Sequence, residues 1–131
     1  MKKHLLILYF LCLPLSFCLA QDYKQTLIGK TWRITLLQIN GEAFTETQGT
    51  CVYSTEITFV NDALLTLNRP CLGVTQQSHR IMNNLLILNN SDTLTITKLS
   101  LTSFETTTRQ KATDDKGNVS IMNIITTYEK E

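Results

Sequence analysis

From residue 31 onward apolar and polar side chains alternate with a period of two, in runs rich in Thr, Ile, Leu and Val that are broken at short intervals by clusters of Asn, Asp and Gly. Alternation of that kind presents one apolar face per strand, whereas a helix would repeat its apolar positions every three to four residues. The pattern predicts eight strands, near 31–39, 52–60, 63–70, 75–82, 85–89, 93–99, 103–110 and 119–128. The breaks at Asn61-Asp62, Leu72-Gly73, Asn83-Asn84, residues 89–92, Leu101-Thr102 and residues 114–118 are all short enough for hairpins, so successive strands should be antiparallel neighbours. Residues 40–50, NGEAFTETQGT, form the one longer connection and are expected to fold over one end of the structure as a lid. Residues 22–29 suit one helical turn ahead of the first strand, capped by Asp22 and stopped by Gly29.

An open meander of eight strands would leave its first and last members unpaired, and closure into a barrel removes both edges. The expected fold is therefore all-β, an eight-stranded antiparallel up-and-down β-barrel with a short N-terminal helical turn. A two-sheet sandwich is the competing solution, but its crossed connections need longer loops. Within the stretch GTCVYSTEITFVNDALLTLNRPC, Tyr53, Ile57, Phe59, Leu65 and Leu67 are all odd-numbered, as are Cys51 and Cys71. Both apolar sets line one face only if paired positions sum to an even number. A loop centred on Asn61 gives a sum of 122, which sets Phe59 against Ala63, Ile57 against Leu65 and Cys51 against Cys71. Opposed cysteines on an antiparallel pair lie within bonding reach, so a disulfide is expected.

The N-terminus changes the picture. Lys2, Lys3 and His4 precede an apolar run from Leu5 to Leu19, and Cys18-Leu19-Ala20 ends it with small residues, which reads as a signal peptide spanning 1–20 and cleaved after Ala20. The run is too short for a transmembrane span, and lipidation at Cys18 is the lesser alternative. What remains, 21–131, fits one domain with one core. Its ten basic residues, the total of 12 less Lys2 and Lys3, stand against 11 acidic ones, so nothing recruits nucleic acid. Cys12 and Cys18 leave with the signal, so Cys51 and Cys71 form a lone pair in a secreted or periplasmic, oxidising setting.

Several stretches now carry a resemblance: Leu27-Ile28-Gly29-Lys30-Thr31-Trp32-Arg33-Ile34, Ile57-Thr58-Phe59, Asn83-Asn84-Leu85-Leu86-Ile87-Leu88, and the run from Leu94 to Phe104. Together they resemble the bacterial lipocalin-like domain proteins, small exported barrels mostly of unassigned function. Lipocalins carry Gly-x-Trp at the closed end of the barrel, and here two residues separate Gly29 from Trp32. The resemblance implies an up-and-down barrel whose calyx takes a small apolar molecule, with no catalytic residues and no cofactor.

Candidate chemistry is sparse. His79 is the single histidine after residue 20, with no spaced Asp or Glu cluster to complete a metal site and no Gly-x-Ser-x-Gly elbow for a nucleophile, so an enzyme is not expected. The residues predicted to line the interior and meet a ligand are Trp32, Tyr53, Phe59, Leu67, Arg69, His79 and Phe104. Ile57, Leu65, Ile81, Leu86, Leu88, Leu94 and Ile96 share their inward face, and Thr106 and Thr108 share that of Phe104. Arg69 shares the parity of Leu65 and Leu67, and an inward guanidinium needs a carboxylate, water, or an anionic ligand head group. His79, with the parity of Ile81, is placed a strand's width from Leu67, where it would join Arg69 in a polar patch. The reading that follows is a non-enzymatic exported binding protein holding a small hydrophobic or amphipathic ligand. The alternative is an envelope inhibitor or interaction module with a packed barrel and a functional loop at 40–50 or 111–118.

Overall fold

The computed structural model describes residues 22–46 and 51–131, so the signal-peptide expectation for 1–20 lies outside the described residues. The chain runs α1 (Tyr23–Leu27), β1 (Thr31–Ile39), β2 (Glu42–Ala43), a 3-10 turn (Val52–Ser54), β3 (Glu56–Phe59), β4 (Leu64–Arg69), β5 (Gly73–Met82), β6 (Leu85–Leu88), β7 (Asp92–Leu99), β8 (Ser103–Thr113) and β9 (Val119–Lys130). Every strand pairing is antiparallel, and β9 returns to pair with β1 from Trp32↔Lys130 to Ile39↔Ile124. Eight strands, β1 and β3 to β9, thus close an up-and-down barrel, and β2 is an added short strand on β1.

Each local element follows from its residues. The Asp22 side chain accepts from the Gln25 amide at 3.1 Å and caps α1, and Gly29, at φ 76, reverses the chain into β1. Among the described residues, four of the five non-glycine residues with positive φ are asparagines, Asn40, Asn83, Asn89 and Asn90, each in a turn between strands. Asparagine tolerates that region because its short polar side chain bonds locally.

Three expectations need correction. The β3–β4 register sums to 124, with Phe59 opposite Leu65 and Ile57 opposite Leu67, so parity holds but the loop is centred on Asp62. The Asn61 carboxamide decides this, accepting from the Ala63 and Leu64 amides at 2.9 and 2.8 Å and so tying off a loop that closes with Val60 bonding to Leu64. Second, the strand expected over 52–60 begins only at Glu56, because Cys51 at φ 39 and the 3-10 turn take the chain out of the ladder. The cysteines are therefore not cross-strand partners. They are joined in a disulfide with Cα atoms 6.1 Å apart, one from the start of the 3-10 turn and one from the β4–β5 turn. Third, the segment read as a loop from residue 40 opens with a hairpin, Asn40-Gly41 turning β1 into β2 with φ of 53 and 84.

These corrections share one consequence. β3 covers β1 only from Thr31 to Arg33, and beyond that point β2, with Phe44 bonded to Leu37, takes its place beside Gln38 and Ile39. The barrel wall between β1 and β4 is a regular strand at one end and a folded strap at the other, and the disulfide fastens that strap to the β4–β5 turn.

Candidate functional site: the interior of the barrel

The two ends of the barrel differ in what fills them. At the end holding α1 and the 60–63, 83–84 and 100–102 turns, the inward side chains are Trp32, Phe59, Leu65, Ile81, Leu86, Ile96, Phe104 and Tyr128, all buried. Trp32 meets Phe104 edge to face at 5.0 Å, Phe104 stacks on Tyr128 at 4.2 Å, and Phe59 sits edge-on to His79 at 5.2 Å. Leu27 of α1 seals the base from below, and the Trp32 indole donates to its carbonyl at 3.4 Å. Burial pushes the Tyr128 phenol above its ordinary 10.0, against the opposing effect of hydrogen bonds with Thr106 and Thr126, and so keeps it neutral.

Toward the other end the same inward rows lose their cover. On β4, Leu65 is 2% exposed, whereas Leu67 and Arg69 are half-buried. On β5, His79 and Ile81 are buried, Gln77 is half-buried and Thr75 is exposed. On β8, Phe104 and Thr106 give way to Thr108 and then to exposed Gln110, and opposite them on β9 Tyr128 and Thr126 give way to Ile124 and Met122. Alternation along each strand keeps these residues on the inner face. A gradient shared by adjacent walls means that the inward side chains are packed at one end of the barrel and lose cover toward the other.

The sequence-predicted site residues divide along this gradient. Trp32, Phe59 and Phe104 point inward as expected but lie in the sealed floor, below the open part. Tyr53 stands in the 3-10 turn at the rim, where its hydroxyl donates to the Phe44 carbonyl and its amide to the Glu46 carboxylate at 2.7 Å, so it braces the strap. Leu67 and Arg69 line the open half. The expected patch of Arg69 with His79 does not form: Leu67 pairs with Thr75 and Arg69 with Gly73, whereas His79 lies beyond the last pair and bonds to Ala63. Six residue steps along β5 separate Gly73 from His79, about 20 Å at the usual rise. His79 is buried at the floor, where its Nε2–H donates to the Asn61 carbonyl at 2.7 Å and holds the β3–β4 loop down. Its Nδ1 has no partner.

Arg69 lies on the inner face of β4 at its last residue. Its Nε is buried without a hydrogen-bond partner and the side chain joins none of the ion pairs among the described residues. The sequence reading missed Gln77, Met122 and Ile124 as wall residues. On β9 both faces carry apolar side chains, so parity there had no contrast; pairing with Thr108 and Gln110 is what identifies the inner face. No cluster of three or more potential metal ligands occurs among the described residues.

No family model matches this chain, and no curated protein matches it in sequence. Among solved structures it is similar to the crystal structure of bovine odorant binding protein complexed with its natural ligand, at 13% identity and a TM-score of 0.46, over 85% of this chain and 74% of that one. The closed eight-stranded barrel and its disulfide fit an extracellular or periplasmic protein. No helix among the described residues is long and apolar enough to cross a membrane.

Proposed function

We propose that the protein is an exported, non-enzymatic binding protein of lipocalin-like type whose barrel holds a small hydrophobic or amphipathic molecule in its open half. The observation that carries this reading is the loss of burial along the inward rows. Leu67, Leu94 and Ile124 present half-buried apolar surface on several walls toward that end, which is the arrangement a small apolar ligand fills. A packed interior would instead have buried these rows along their whole length, and this favours a carrier over an inhibitor with a solid barrel.

Arg69 narrows the ligand. An inward guanidinium with no ion-pair partner among the described residues, set near the mouth beside these apolar side chains, suits an amphiphile whose tail lies inside and whose carboxylate meets the arginine. The test is native mass spectrometry of protein purified from its own host, followed by titration with a fatty acid and its methyl ester. Arg69→Met should weaken the acid at least tenfold, the scale of one charge-assisted hydrogen bond, and spare the ester. Equal loss of both rejects the head-group role, and a clean unliganded mass with no uptake of an apolar fluorescent probe rejects the carrier.

A further inference from the structure

The β8–β9 hairpin outruns the barrel. The β7–β8 ladder stops at Thr95↔Thr107, although β8 continues to Thr113 and stays paired with β9 throughout. Past Thr107 no further β7–β8 register pair follows, and Thr108 Oγ1 donates to the Thr93 carbonyl at 3.4 Å. Residues Arg109 to Thr113 therefore form a sheet edge without a ladder partner among the described residues, beside the barrel mouth.

Which backbone groups are free follows from the ladder. The Asp114 amide bonds to Asn118, so even-numbered β8 residues turn their N–H and C=O toward β9 and odd-numbered ones turn theirs outward. Arg109, Lys111 and Thr113 thus each offer one unpaired donor and one unpaired acceptor at the spacing of an added strand. Their side chains lie on the outer face, and neither Arg109 nor Lys111 joins an ion pair among the described residues. The next carboxylate along the chain, Asp114, is turned into its own hairpin, accepting from the Lys116 and Asn118 amides and the Asn118 carboxamide. Where the strands part, Thr93, Thr95, Thr97, Thr107, Thr108 and Arg109 line a pocket of about 360 Å³, room for a terminal side chain of a docked segment.

We propose that this edge is a docking site for an extended acidic peptide segment of a partner protein, added as a strand to β8, with its alternate Glu or Asp side chains against Arg109 and Lys111. Strand addition draws affinity from main-chain bonds and specificity from alternate side chains. A second copy of this chain is the wrong occupant. An antiparallel pair of these edges centred on Lys111 sets lysine on lysine, and one centred on Gln110 sets Arg109 on Lys111, and like charges directly opposed are unfavourable. The inference is independent of what the barrel holds.

The probe is an acetylated, amidated heptapeptide alternating Glu and Val, followed by residue-resolved amide hydrogen exchange on the full chain. Saturating peptide should slow exchange at Arg109, Lys111 and Thr113 at least tenfold and leave the already bonded Gln110 and Ala112 unchanged. Affinity should fall with added salt and fall at least fivefold in the Arg109→Ser, Lys111→Ser double variant. It should also fall in Thr113→Pro, which removes one edge N–H without changing charge. The same peptide with Lys for Glu should protect nothing. Protection confined to the lumen, peptide binding unchanged in both variants, or self-association that protects the same three amides without peptide would each overturn the proposal.

Discussion

The closed end and the open end of this barrel are built from the same strands but held by different forces. At the closed end eight large inward side chains and Leu27 exclude water, and the turns there are drawn in by the core itself, as His79 draws in Asn61. At the other end the inward rows are half-buried to exposed, and order comes from the backbone ladder, the strap bonds of Tyr53 and Glu46, and one covalent link between Cys51 and Cys71. Where core is given up on one side, constraints that need no filled interior replace it.

The largest expected effect separates the two ends directly. Replacing Cys51 and Cys71 by serine removes a crosslink closing 20 residues, worth about 3 kcal/mol by the chain-entropy relation. Hydrogen exchange in that variant should rise in the strap and the β4–β5 turn while amides around Phe59 and Phe104 keep their relative order. A uniform rise would show that the ends are not distinct. Next, Leu65→Ala and Leu67→Ala compare one residue type on one strand and one face at two depths. Denaturant unfolding should give losses of about 3 kcal/mol for buried Leu65 and about 1 kcal/mol for half-buried Leu67. Equal losses would mean that the open half is packed after all.

Smaller effects sharpen the description of the floor. His79→Leu leaves the Asn61 carbonyl without its donor and should cost about 1 to 2 kcal/mol, with faster exchange in the 60–63 loop. Tyr128 supplies a pH handle. Its phenol is raised by burial above the unfolded value near 10, so the folded state holds the proton more tightly; the stability this reports is complete below pH 10 and is lost as pH climbs through the folded value. Tyr128→Phe should flatten the fall in thermal stability above pH 10 and leave the neutral range nearly unchanged. An unaltered alkaline slope would place the phenol outside the floor.

Much of this was legible along the chain, and the limits are physical. Period-two alternation, together with Ile- and Thr-rich composition on β9, located the eight barrel strands, and asparagines marked several of the turns because they tolerate positive φ. The β3–β4 register slipped by one pair because side-chain parity constrains a sum only to be even, and the choice between even values lay with the Asn61 carboxamide. Asn40-Gly41 was a readable hairpin signal. That its short return strand would replace β3 in the wall was not readable, since this depends on where β3 ends in space.

The site divides in the same way. Tyr53 left the strand for the 3-10 turn, but inward parity for Arg69, Leu67, His79, Trp32, Phe59 and Phe104 is a one-dimensional property, so the amino-acid order alone determined it. Depth is not. Whether an inward side chain forms the sealed floor or the open wall, and whether Arg69 and His79 meet, depends on strand registers summed around a closed circuit, and only the assembled barrel sets those. The free edge at Arg109 to Thr113 is of the same kind: β8 reads as one continuous strand, and its partner's early end is a fact of tertiary pairing.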